Sequence, residues 1–206
     1  MPGILRPWCQ ALFVCLIAAG CGIEIYGKAD WYDQHNNPDF TVEMPANAPY
    51  ISEQFVSGDD IGDNNHLGID IWGKRGAEVI AAASGRVERS FYEPAFGNQI
   101  VLDHGLDEKG ARIRTHYKHL YERLAEPEEV IARGQQIGTM GATGALGMMV
   151  HLHFEVLIDE RHREAKAMDP NLFWMNGVGK VTCFDRTKQY RDRPFKTTYP
   201  VRCKGM

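Results

Sequence analysis

Two short stretches of this chain hold metal-ligating side chains at spacings that can do chemistry: His66-Leu-Gly-Ile-Asp70 and His151-Leu-His153. In the first, Gly68 and the β-branched Ile69 and Ile71 disfavour a helix and predict a turn feeding a strand. There the small Gly68 lets the backbone turn closely, so that imidazole and carboxylate converge on one point. In the second, Leu152 and Phe154 predict a strand, and residues two apart in a strand leave the same face. An exposed histidine pair on a β-surface would read the same way. Against it, the run before His151 holds Gly138-Thr-Met-Gly-Ala-Thr-Gly144, a glycine-rich loop suited to passing close beneath a cleft. Imidazole nitrogen with carboxylate oxygen suits a borderline ion such as zinc, and three protein ligands with one open position is the catalytic arrangement. The acidic turn 59–65 lacks the alternating acidic positions before glycine, and the terminal glutamate, of a helix–loop–helix calcium site.

The surrounding residues predict short strands to position these groups. Ile69 and Ile71 alternate with Asp70 and Trp72; 79–83 is apolar; 86–91 is mixed; Ile100, Val101 and Leu102 lie within 98–103; 112–117 alternates again. Leu152, Phe154 and Val156 share one face of a strand, and His151, His153 and Glu155 share the other. Glycines fall between these runs, where turns want a residue without Cβ. One stretch, 121–130, leans helical, interrupted by Pro127. The expectation is an antiparallel, largely all-β domain over 46–174, entered past Pro45, with the extension 175–206 packing against it.

The 206 residues, 44% apolar and 24% charged, suit one globular domain, and the formal charge of −4 gives no reason to expect a nucleic-acid partner. Residues 180–204 are locally basic, which suits an acidic polymer, lipid headgroups or simply a solvated surface. Arg6, the apolar run 11–20 and the small residues Ala18, Ala19 and Gly20 ahead of Cys21 suit an export signal, and resemble a bacterial lipoprotein processing site. That resemblance implies cleavage before Cys21 and a lipid on its sulfur, with 1–20 as signal peptide and 21–45 as a polar tether. Of the five cysteines, Cys9 and Cys15 would leave with the signal, and Cys183 and Cys203 would remain for a disulfide.

From 57 to 170 the chain resembles the M23 metallopeptidases, the lysostaphin-type or LytM-type peptidoglycan hydrolases. His66-Leu-Gly-Ile-Asp70 is similar to the family's His-x-x-x-Asp motif, and Gly76, Val79, Ala81-Ala82 and Gly85 follow in its rhythm. Gly97-Asn98 and His104 resemble its next strand, and Thr115-His-Tyr-Lys-His119 its first catalytic histidine segment. Gly134-Gln-Gln-Ile-Gly138, Gly141-Ala-Thr-Gly144 and His151-Leu-His-Phe-Glu155 complete the order, and Asp169-Pro170 closes it. The resemblance implies a LytM-type fold, sandwich-like with an open groove; one zinc held by His66, Asp70 and His153; and catalytic, unligated His119 and His151, one accepting a proton while the other stabilises or protonates. It implies an endopeptidase acting on peptides of peptidoglycan cross-links or stems, which the lipoprotein-type processing site would export and anchor to a bacterial membrane facing periplasm or wall. The alternative is a zinc-stabilised module that binds murein or activates another hydrolase, since family members that lose ligands act as activators; here all five positions are present. Tyr117 is expected to line the groove or to pack, Glu155 to orient a neighbour, His104 to support the site, and His116 to lie on the surface. His35 and His162 have no partner that the sequence names.

Overall fold

The computed structural model describes residues 26–29, 40–56, 65–159 and 165–206. The expected signal 1–20, Cys21, most of 21–45, residues 57–64 with nearly all of the expected acidic turn 59–65, His35 and His162 lie outside the described residues. Among the described residues eleven strands run in chain order: β1 (Ile51–Glu53), β2 (Ile69–Trp72), β3 (Glu78–Ile80), β4 (Gly85–Glu93), β5 (Gly97–Leu106), β6 (Arg112–Leu120), β7 (Glu122–Arg123), β8 (Val130–Ile131), β9 (Gln136–Thr139), β10 (His151–Asp159) and β11 (Lys166–Met168). A 3-10 turn, Pro170–Leu172, follows them. The architecture is all-β, as expected: an eight-stranded sheet ordered β1-β2-β10-β6-β5-β4-β8, with β11 on β10, and a three-stranded sheet ordered β3-β9-β7. Every strand pair is antiparallel, and neither sheet closes into a barrel.

Alternation along the central strands separates a core face from a groove face. Ile69 and Ile71 of β2, Ile113 and Tyr117 of β6, and Leu152, Phe154 and Val156 of β10 enter one hydrophobic core with Val79, Ile137 and Met140 from the smaller sheet and its flanks. Each large apolar side chain buried this way contributes roughly 1.5–3 kcal/mol. The C-terminal stretch joins the same core: Trp174, Tyr199 and Val201 are buried, and Val201 bridges Val79. A disulfide links Cys183 and Cys203, with Cα atoms 5.9 Å apart. Upstream, Tyr26 bridges Pro49 and Glu43 bridges Lys180, so described parts of 21–45 pair with the body.

The helical leaning of 121–130 is overturned, because that stretch holds β7 and leads into β8. Its backbone donors go across the smaller sheet rather than along a helix: Tyr121 N–H reaches the Thr139 carbonyl and Leu124 N–H the Ile137 carbonyl, both at 2.8 Å. Pro127 has no N–H to give a helix, and Glu128 sits at φ 70, outside helical conformation.

Candidate metal centre

The β2–β10 register does most of the positioning. His153 lies opposite Asp70 and His151 opposite Trp72. With the neighbouring residues of both strands committed to the core, Asp70, His151 and His153 emerge on the groove face. His66 arrives just ahead of β2, tied by reciprocal 2.8 Å backbone bonds to Val56. Gly68 permits the approach: a Cβ there would sit 2.4 Å from the Phe154 carbonyl oxygen and 3.0 Å from His153 Nε2.

Hydrogen bonding sets the direction of each ring's lone pair. His66 Nδ1 lies 2.7 Å from the Gln54 carbonyl oxygen, which can only accept, so the proton is on Nδ1 and Nε2 is bare. His153 Nε2 lies 2.9 Å from Glu155 Oε1, so here the proton is on Nε2 and Nδ1 is bare. The two bare nitrogens are 3.1 Å apart, and Asp70 Oδ1 stands 3.2 Å from His66 Nε2 and 2.8 Å from His153 Nδ1. Three lone pairs that close repel one another unless a cation or proton sits among them. A tetrahedral ion bound at about 2.0–2.1 Å needs donors about 3.3 Å apart, near the spacing observed. The cluster therefore fits one zinc ion, its three donor atoms all within 4.8 Å of one another.

The electrostatics agree with that fit. Burial would raise the Asp70 carboxyl, but the imidazoles of His153, His66 and His151 around it hold it well below the usual carboxylate range. It is thus ionised, as a ligand must be. Burial would lower His66, and the Asp70 carboxylate outweighs it, leaving His66 raised.

His119 reaches the site through a bulge. Between the pairs Asn98↔Leu120 and Ile100↔Tyr117, β6 has an extra residue relative to β5. Regular alternation would send His119 to the core face with Tyr117; instead it adopts φ 62, and its ring centroid stands 4.7 Å from that of His151 and 6.3 Å from that of His153. A non-glycine residue in this left-handed region costs roughly 1–2 kcal/mol, which the surrounding bonds offset. Its Nδ1 donates to the Thr143 carbonyl at 2.9 Å, and His151 Nδ1 donates to the Met149 carbonyl at 2.8 Å. Both Nε2 atoms are thereby left without a proton, and His151 Nε2 is 3.5 Å from Asp70 Oδ2. Burial pushes the His119 imidazole down to about 4, so its ring is neutral at neutral pH. These groups line a groove of about 550 Å³ rimmed by Leu67, Leu146, Met148 and Met149.

Residues 64–170, more than half of the chain, match the model of Peptidase family M23. The chain belongs to this family. Among M23-related sequences it is 32% identical over 129 residues to the peptidoglycan DD-endopeptidase ShyC of Vibrio cholerae, covering 62% of this chain and 28% of that protein. It is 35% identical over 95 residues to the murein hydrolase activator NlpD of Escherichia coli, covering 46% and 23%. The matched region thus spans less than a third of either relative. A solution structure of lysostaphin is 24% identical, with a TM-score of 0.50, covering 70% of this chain and 57% of that one, a likeness of fold.

Within this M23 centre the structure assembles His66, Asp70, His119, His151 and His153 around one groove. Of the groups expected nearby, Glu155 does bond His153, whereas Tyr117 packs: it is fully buried, and its Oη accepts the Ala82 N–H at 2.9 Å. His116 is corrected from surface to largely buried, with Nδ1 3.5 Å from Glu155 Oε2. His104 bonds the Ser84 carbonyl and Thr115 Oγ1, both at 2.8 Å, rather than the cluster. Two kinds of group went unread in the sequence. The Gln54, Thr143 and Met149 carbonyls that set the ring tautomers leave no side-chain signature. Lys118, 8% exposed and paired with Glu155, stood inside the Tyr-Lys-His segment, where its charge in an alternating strand was the available sign.

Proposed function

We propose that this chain is a zinc-dependent endopeptidase that hydrolyses peptide bonds in peptidoglycan cross-links or stem peptides. The observation that carries this reading is the convergence of three lone pairs on one point, with two further imidazoles offering free Nε2 atoms to the same groove. His66 Nε2, Asp70 and His153 Nδ1 would hold the ion. A bound zinc supplies Lewis acidity towards the scissile carbonyl and a nucleophile at neutral pH. His119 and His151 are the proposed catalytic residues: each keeps its Nδ1 proton on a backbone carbonyl and exchanges protons at Nε2. Neutral His119 can accept a proton there, and His151 Nε2 faces the Asp70 carboxylate at 3.5 Å. The substrate class is supported by relatives such as ShyC, whose name specifies peptidoglycan.

The test is mass analysis of muropeptides before and after digestion by purified protein, with and without a metal chelator. New free amino and carboxyl termini at a peptide bond, lost with chelator and regained with zinc, are expected. The likeness to NlpD keeps a regulatory module as the second reading. Intact muropeptides under every metal condition, with stimulation of a separate hydrolase, would replace the first reading with it.

For location, the proposal is an exported protein held to a bacterial membrane by lipid on Cys21, within reach of the wall. Among the described residues no helix is long and apolar enough to cross a membrane. Intact mass of the mature chain tests this: an unmodified Cys21 inside a longer chain would reject the anchor.

A further inference from the structure

Behind His153 the groove face carries a set of charges that the chemistry above leaves unused. Lys118 is the cross-strand partner of His153, and His116 that of Glu155, so β6 and β10 bring four polar side chains into one patch. Glu155 Oε1 is shared: it lies 2.9 Å from His153 Nε2 and is also the partner of Lys118 Nζ. Oε2 faces His116 Nδ1 at 3.5 Å. Lys118 and Glu155 are 8% and 5% exposed, and the ammonium stands 4.3 Å from the centroid of the Phe96 ring.

Burying a lysine is expensive and is seldom done for packing alone, since its charge must be desolvated and met by a partner. Here the partner is the one carboxylate that decides which His153 nitrogen carries the proton. A carboxylate fixed by a single bond to His153 could rotate away. One held from another strand by an ammonium, itself stacked on an aromatic face, keeps its oxygen aimed at Nε2–H.

We propose that Lys118 is a positioning residue for the metal centre: it pins Glu155 behind His153, so that His153 keeps its proton on Nε2 and presents Nδ1 to the ion beside His66 and Asp70. This rests on the metal-binding reading of those three residues and adds a residue outside the ligand set.

The experiment measures zinc affinity of the chelator-stripped mature chain by competition with a chromophoric chelator, together with the visible spectrum of the cobalt-substituted protein. The variants are Lys118→Met, Glu155→Gln and the pair combined, with Lys118→Gln repeating the first at lower cost to folding and Lys118→Arg as the charge-preserving rescue. Both Lys118→Met and Glu155→Gln are expected to weaken zinc binding by roughly 10–100-fold, the range for groups that orient a metal-bound histidine. The double variant should be no weaker than Glu155→Gln, because Lys118 acts through Glu155. The cobalt spectrum should change in Lys118→Met and return towards wild type in Lys118→Arg. Folded Lys118→Met and Lys118→Gln proteins with wild-type zinc affinity and cobalt spectrum would overturn the proposal, as would fully additive losses. These readings need no substrate. Normal zinc binding without murein hydrolysis would count against the peptidase function while the variant series still decides the role of Lys118.

Discussion

Lowering the pH from 7 to 4 should withdraw about 3 kcal/mol of stability through His104 alone. Burial holds this imidazole down to about 4 from an ordinary 6.5, against smaller opposing pulls from the Ser84 carbonyl and Asp103. Its neutral form is well served: Nδ1–H donates to the Ser84 carbonyl and Nε2 meets Thr115 Oγ1, with the Phe195 ring 5.0 Å away. The sign follows from proton counts. Below pH 6.5 the unfolded chain binds a proton at His104 that the folded chain refuses, so stability falls as pH falls. Near pH 4 the folded state begins to protonate as well, and the loss levels off. At roughly 1.4 kcal/mol per pH unit, the interval from 6.5 to about 4 amounts to about 3.5 kcal/mol, of which the levelling off leaves about 3 kcal/mol lost by pH 4. Urea denaturation of metal-stripped wild type and His104→Gln at several pH values isolates this contribution, because the other titrating groups are common to both proteins. The wild type should lose about 3 kcal/mol more than the variant between pH 7 and 4. Parallel stability curves, or a His104 ring resonance titrating near 6.5 by NMR, would refute the reasoning.

His119→Ala and His151→Ala should each keep zinc and lose roughly 10²–10⁴ in turnover, whereas Asp70→Ala should lose metal and activity together; zinc content measured beside murein hydrolysis separates the cases. Gly68→Ala should cost roughly 1–3 kcal/mol by overpacking, read from thermal melts, because its Cβ would press on the Phe154 carbonyl at 2.4 Å. It should also weaken zinc binding, since the same atom meets His153 Nε2 at 3.0 Å. Replacing both Cys183 and Cys203 by Ser should remove roughly 3 kcal/mol, measured by denaturation, through the freed loop of the unfolded chain.

Much of this site was legible before any fold was known, wherever the information is local. Period-two alternation placed His151, His153 and Glu155 opposite Leu152 and Phe154, because a strand has only two faces. Gly68 marked a close approach, because only a residue without Cβ admits a carbonyl at that distance. Local reasoning failed where partners lie across strands. The leaning of 121–130 towards helix yielded to hydrogen bonds with β9, which no window of neighbouring residues contains. Regular alternation would put His119 and Tyr117 on one face, and an extra residue in β6 against β5 parts them. The pairing of Lys118 with Glu155 and the placing of His116 under it needed the β6–β10 register. So the sequence by itself determined the donor types and the alternation that exposes them. Only the tertiary structure decided which ring nitrogen faces the metal, where His119 points and what holds Glu155, because each depends on carbonyls and charges brought together by strand register.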